Sequence, residues 1–401
     1  FLITAFLLDT PGNIIEGLKE IVICPDILLV DYLEVGGLSA TLVNASIVSI
    51  VAILLMYLSK KEIDGISIAS IFTIMGFAFI GKNIINTLPI YLGGYLYTKF
   101  TKTEFKDAII VLIFGTTLSP FVTEVMFYYG LSKFVGVILA IISGAFIGFI
   151  LVPVSKQAFK IHEGYNLYNL GFTGGIIGTV IMAVLRTFGF EGKTQSVIST
   201  QYSKFMLIYL LGSFLLLIIF SIYKDRNVAK KYPEVLKETG KAPSNFKKDF
   251  GENLVIFNMG LMGILSIIYV LISKGDFNGP IAAGIFTAVG FAASGKHIKN
   301  TVPVLVGVFL MAKISILDPS NTSVIMAGLF GMTISPIAGE FGFLFGVIGG
   351  MLHVSVGRNI INIHGGLNLY NNGFSGGIVA AFLLPLCRLI KSSKFSNIKE
   401  V

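Results

Sequence analysis

Runs free of Asp, Glu, Lys and Arg divide the chain into two series. The first is Gly36 to Ser59, Gly65 to Gly81, Asn83 to Thr98, Ala108 to Thr123, Phe134 to Ser155, Gly164 to Leu185 and Phe205 to Tyr223. After a polar gap come Asn253 to Ser273, Phe277 to Gly295, Asn300 to Ala312, Pro319 to Gly339, Phe341 to Gly357 and Asn359 to Cys387. A helix needs about 20 apolar residues to cross about 30 Å of hydrocarbon, so the pattern predicts twelve to thirteen helical membrane segments. Shorter runs carry Pro89, Pro120, Pro303 or Pro336. They predict broken or re-entrant helices, which a bilayer tolerates only where protein or a wet cavity covers the freed backbone groups.

The two series are copies of one another. IFTIMGFAFIGKNIINTLP (71 to 89) returns as IFTAVGFAASGKHIKNTVP (285 to 303), matching at 12 of 19 positions. FGTTLSPFVTE (114 to 124) returns as FGMTISPIAGE (330 to 340), and HEGYNLYNLGFTGGIIG (162 to 178) as HGGLNLYNNGFSGGIVA (364 to 380). A fainter pair aligns Pro25 and Asp31-Tyr32 with Pro243 and Asp249-Phe250 at an offset of 218. Apolar composition alone would not hold Lys, Asn, Pro, Glu and His in register, so an internal duplication is the governing feature. The reading is an N-terminal amphipathic segment (1–24), membrane repeat 1 (25–186), a connecting helix (187–223), a cytoplasmic basic linker (224–252), membrane repeat 2 (243–388) and a cytoplasmic tail (389–401).

Composition agrees: 54% of the 401 residues are hydrophobic and 13% charged, with a mean hydropathy of +0.84. A soluble domain carries roughly 25% charged residues, so a water-soluble globule, a disordered chain and a nucleic-acid-binding domain are all excluded. The net charge of +8 then reads as topology, because Lys and Arg collect in cytoplasmic loops. Seven runs separate the start of one copy from the start of the next, and an odd number inverts the second copy. A single re-entrant segment in each copy would instead make them parallel. Cys24 and Cys387 stand far apart, so no disulfide framework or cysteine metal site is expected. The chain begins at Phe1, and its first thirty residues lack the basic-then-apolar order of a signal peptide.

Charged side chains kept inside apolar runs in both copies are functional candidates, because each costs about +2.5 to 3.5 kcal/mol at the bilayer centre on insertion scales. Lys82 with Lys296 and Glu124 with Glu340 qualify as coupling groups, the bland alternative being residues at the membrane boundary with snorkelling lysine stems. Asn86-Thr87 and Asn300-Thr301 precede the helix-breaking Pro89 and Pro303. Paired breaks of this kind point to a midplane substrate site, or else to proline kinks patched by their own threonines. Ser119 and Ser335 in T-x-S-P invite the same two readings. In the glycine-rich third block, opened by His162 and His364, Asn166, Tyr168 and Asn169 recur as Asn368, Tyr370 and Asn371, and packing is the commoner role of the glycines. His162 and His364 read first as surface residues and second as proton relays. No Walker loop, nucleophile elbow or dinucleotide fingerprint is present, so no cofactor, resident metal or catalytic residue is expected.

The stretches PDILLVDYLEVGGLSATLVNA, GFAFIGKNIINTLPIYLGGYL and GYNLYNLGFTGGIIG resemble the duplicated prokaryotic membrane proteins of the DUF1576 family, a domain of unknown function. The resemblance implies no activity and transfers no functional residue. More distantly, the glycine-aromatic-asparagine stretch is similar to urea transporters, which are channel-like and oligomeric. The expectation is an all-α polytopic bundle of two inverted repeats in a prokaryotic inner membrane. It would move a small polar or ionic solute as a secondary transporter, with the bilayer as partner and no nucleic acid; a homo-oligomer is compatible with it. Alternatives are a passive channel and an intramembrane enzyme acting on a lipid.

Overall fold

The computed structural model describes residues 1–27, 29–190 and 196–399, with side chains described to Ser392. Every regular element is a helix. α1 (Leu2–Leu8), α2 (Pro11–Ile23) and α3 (Tyr32–Val35) lead into α4 (Gly37–Leu58), α5 (Gly65–Phe77), α6 (Ile84–Thr101), α7 (Phe105–Gly115), α8 (Ser119–Phe127), α9 (Lys133–His162) and α10 (Asn169–Thr187). α11 (Ser203–Lys224) connects to a linker holding α12 (Val228–Val235) and α13 (Phe246–Phe250). The second series is α14 (Glu252–Ile272), α15 (Gly279–Phe291), α16 (Ile298–Ile314), α17 (Thr322–Gly331), α18 (Ser335–Phe341), α19 (Phe343–Ile360) and α20 (Asn371–Lys399). Among the described residues nine helices are long and apolar enough to cross a bilayer, counting α7–α8 and α17–α18 as one each. This is a multi-pass membrane protein.

Local chemistry sets where the short helices start and stop. α5 begins on Asp64 and α15 on Asn278, whose side chains accept from Ser67 N and Ile281 N. Both helices end thirteen residues later. The chain then turns through Gly81 (φ +75°) and Gly295 (φ +122°), left-handed conformations that a β-carbon disfavours. α6 and α16 restart on the capping boxes Asn83/Asn86 and His297/Asn300, which satisfy amides a helix start leaves unpaired. The T-x-S-P blocks form one 3-10 turn each, Thr116–Leu118 and Met332–Ile334, inside otherwise continuous spans.

Two faces can be distinguished. Gly65 N donates to Asn245 Oδ1 and Ala242 N to Gly164 O, so α5 starts and α9 ends at the linker face. On the other face Phe277 N donates to Ser203 Oγ and Asn278 Nδ2 to Thr322 Oγ1. A β-carbon on Gly65 would meet Ala293 and one on Gly279 would meet Phe79, while Gly76 lies against Ala283 and Gly290 against Ala69. The equivalent helices α5 and α15 therefore pack antiparallel along their whole length. Equivalent helices can do so only about a two-fold axis perpendicular to them, and the copies are inverted. α5 rises from the linker face, and α6, packed parallel to α9, returns to it. Such a hairpin changes the crossing count by two or by none, so the odd parity survives.

The faint pairing at offset 218 is corrected. Asp31 Oδ2 accepts from Gly279 N as Asn245 Oδ1 does from Gly65 N, and each caps a short helix. Asp31-Tyr32 thus corresponds to Asn245-Phe246 at offset 214, in register with the following block. At that offset Pro25 falls on Thr239, so the two prolines are four residues out of register and do not correspond.

Candidate functional site

Each repeat reaches into the broken helix of the other. Tyr168 N donates to Thr333 Oγ1 at 2.9 Å, Leu167 N to Thr333 O at 3.0 Å, and Asn166 Oδ1 accepts from Thr333 Oγ1 at 2.5 Å. The mirror set is Tyr370 N to Thr117 Oγ1 at 2.9 Å, Leu369 N to Thr117 O at 3.0 Å, and Thr117 Oγ1 to Asn368 Oδ1 at 2.6 Å. Asn166 Nδ2 then donates to Gly373 O, and Asn368 Nδ2 to Gly171 O. Gly171 and Gly373 meet on the axis, so near that a β-carbon on either would fall within 3 Å of the other's backbone. Glycine here is a packing requirement, as the commoner reading of that block holds.

The hairpin tips complete the lacing. The Lys82 ammonium donates to Tyr370 OH across the repeat boundary and to Thr116 Oγ1 at 2.7 Å. Lys296 donates to Tyr168 OH, and Met332 stands where the first copy has Thr116. Both lysines are fully buried, and among the described residues neither forms an ion pair with a carboxylate. Each ammonium also lies 4.4 Å from the centre of the tyrosine ring it bonds. The boundary reading is thereby corrected for the lysines: their heads are held inside protein.

A cavity of about 370 Å³ opens along this lacing. Its inner wall is paired across the axis: Thr73 with Thr287, Phe77 with Phe291, Phe114 with Phe330, Tyr168 with Tyr370. Its outer end is Asp64, Ser294 and linker residues 242–245, on the linker face. Burial raises the Asp64 carboxyl, yet hydrogen bonds from Ser67 and the nearby Lys61 together hold it below the usual carboxylate range. Thr73 Oγ1 is buried without a hydrogen-bond partner among the described residues, whereas Thr287 Oγ1 donates to Ala283 O. A second cavity of about 390 Å³ lies towards the other face, lined by Ser196, Ile198, Asn321 and Arg358 among others. The two share Leu369 and Asn372 as lining.

Of the residues singled out by sequence, Asn166 lines the axial cavity and Asn368 holds its symmetric place in the lacing. Thr87 and Thr301 return their hydroxyls to Asn83 O and His297 O, one turn back in their own helices. Asn86 and Asn300 act as helix caps within their own repeats, away from the cavity lining. Ser119 donates to Gly81 O, and Ser335 Oγ is buried without a partner among the described residues. Glu124 is buried and its Oε1 has no partner among the described residues, while Glu340 is half-buried and accepts from Tyr165 OH. His162 and His364 are buried rather than on the surface, each against the asparagine seven residues on, Asn169 and Asn371. Missed were Thr73 and Thr287 as cavity lining, although they sit at matched positions of the repeat, because a lone Thr in an apolar run reads as ordinary core; Tyr168 and Tyr370, recurring polar residues of the third block, line the cavity as well.

The family described as "Protein of unknown function (DUF1576)" matches residues 10–187 and 224–389. No curated protein and no solved structure matches the chain.

Proposed function

The chain belongs to the DUF1576 family, and from its geometry we propose a secondary transporter of small anionic solutes, working in a prokaryotic inner membrane with the linker in the cytoplasm. The observation that carries this reading is the pair of cavities. One runs from the linker face to the pseudo-two-fold axis, the other starts from the opposite face, and Leu369 and Asn372 stand between them. Rocking one inverted copy against the other would exchange which cavity reaches the axis, the behaviour expected of repeat-built carriers. The α5–α6 and α15–α16 hairpins would be the re-entrant elements, their tips set on the axis.

Anion preference follows from the tips. A buried ammonium without a carboxylate is costly, and a bound anion would offset that cost for both lysines at once. Tyr168 and Tyr370, whose hydroxyls accept from Lys296 and Lys82, line the cavity and link it to the buried lysines. Thr73 and the asparagines supply neutral donors, and Arg358 gives the second cavity a positive wall.

Reconstitution in liposomes with a panel of small inorganic and organic anions tests the reading. Uptake of at least one anion is expected, with Lys82→Met and Lys296→Met each reducing it by about tenfold or more, the size of a lost charge-assisted contact. Uptake unchanged in the double variant, or no anion carried in preference to neutral solutes, would overturn it. A channel with the same symmetry would show flux without saturation or counterflow.

A further inference from the structure

Behind the tip of the first hairpin lies a carboxylate that the transport reading leaves unused. Asp26 sits in the turn between α2 and α3, 1% exposed. Its Oδ2 accepts from Asn86 Nδ2 at 2.8 Å and from Thr123 Oγ1 at 2.6 Å, and its Oδ1 from Tyr32 OH at 2.5 Å and Cys24 Sγ at 3.6 Å. No Lys, Arg or His among the described residues bonds to it. α6 starts at Asn83-Asn86 and turns its positive end towards Asp26. Glu124 follows directly on Thr123, which bonds Asp26, and is 7% exposed with Oε1 unpartnered among the described residues. The other titratable neighbours, Cys24, Tyr32, Tyr128 and Tyr129, bring no positive charge.

The second copy has nothing of the kind. At offset 214 Gly240 replaces Asp26 and Phe246 replaces Tyr32, and Gly339 replaces Thr123 in its own block. Asn300 Nδ2, the mate of Asn86, donates to the backbone carbonyl of Thr239 at 3.3 Å. A β-carbon on Gly240 would fall 2.0 Å from Gly295 O, so no side chain fits there. Glu340, the mate of Glu124, is tied to Tyr165 and half-exposed at the linker face.

We propose that Asp26 and Glu124 together form a proton-binding site, present in the first repeat alone, that couples proton entry from the face opposite the linker to movement of the α5–α6 tip. A proton from water on that face forms an O–H bond on one of the two carboxylates. This removes the repulsion between two buried carboxylates, neither of which has a cation beside it among the described residues. It is returned to water on the linker face once the tip has moved. Asn86 transmits the change, because the same amide that holds Asp26 also holds Gly81 O, one residue before Lys82. The inference rests on the transport reading for its coupling role but not for the proton site itself.

Two measurements on the full chain separate these. A hydrophobic carbodiimide, which reacts with protonated carboxyls in apolar surroundings, followed by peptide mass spectrometry, is expected to label Asp26 or Glu124. Labelling should fall as pH rises and disappear in Asp26→Asn plus Glu124→Gln, with Glu340 unlabelled. In proteoliposomes, the ratio of anion uptake with an inward proton gradient to uptake without one is expected to drop to about one in Glu124→Gln, against a wild-type ratio of about tenfold, a common size for coupling between two sites. Labelling absent from both residues, or a gradient ratio the double variant leaves unchanged, would overturn the proposal. Labelling with no anion uptake at all would keep the proton site and remove the transport reading.

Discussion

The two hairpin tips are alike on one side and unlike on the other. Facing the axis, Lys82 and Lys296 each reach a tyrosine of the opposite copy, and Asn44 and Asn258 each donate to a pair of tip carbonyls, Ala78 and Lys82 in one copy and Ala292 and Lys296 in the other, all at 2.8 Å. Facing away, the first tip rests on a buried carboxylate and the second on the carbonyls of a linker turn. Duplication explains the first half of this. Both copies line one cavity, so a change in either is felt at the axis. The backs are private to each copy and face different sides of the bilayer, where one can keep a charge and the other discard it.

Four substitution experiments probe that contrast. The largest effect is expected at the shared seam. Gly171→Leu and Gly373→Leu should each cost about 1 to 3 kcal/mol or more by overpacking, read as a lower melting temperature of the detergent-solubilised protein. Equal losses would bear out the symmetry of the seam, and a loss from one alone would refute it. Next, Tyr168→Phe and Tyr370→Phe each leave a buried ammonium short of an acceptor. About 1 to 3 kcal/mol of destabilisation is expected for each. The Tyr370 variant should lose less, because Lys82 keeps Thr116 while Lys296 has no second acceptor among the described residues.

The backs should part company. Asn86→Leu removes a donor from a carboxylate, worth about 1.5 to 3 kcal/mol, whereas Asn300→Leu removes donors from backbone carbonyls, worth about 1 kcal/mol each. Melting curves that rank the two the other way would contradict the assignment of Asp26 as an ionisable group. The smallest effect is expected at Thr73→Val, within about 0.5 kcal/mol in stability because the hydroxyl has no partner to lose, but with weaker anion uptake. Thr287→Val, whose hydroxyl is already spent on Ala283, should change uptake less.

Much of the fold was legible because duplication writes the same constraints twice. Gly81-Lys82 and Gly295-Lys296 kept register since a left-handed turn and a buried cation each admit few residues. The same logic drew attention to Asn86 and Asn300, yet they proved to be caps. A helix start buried in protein needs internal partners for its amides as surely as a substrate does for its polar groups, and a sequence does not tell the two demands apart. Asp26 was illegible for the opposite reason. It is unpaired in the duplication, sits in a turn outside every apolar run, and owes its burial to contacts with residues 60 and 97 positions away. The parity question likewise yielded only to packing, since no run length distinguishes a hairpin from two crossings.

The claim on which the account turns is that the axial cavity communicates with each face in turn. Cysteine accessibility in oriented proteoliposomes tests it without knowledge of the solute. In Thr73→Cys and Thr287→Cys, a membrane-impermeant maleimide is expected to react when added on either face. Wild type, whose buried Cys24 and Cys387 line neither cavity, serves as the unreactive control. Reaction from both faces in both variants is the predicted result; reaction from one face only, or from neither, would contradict it.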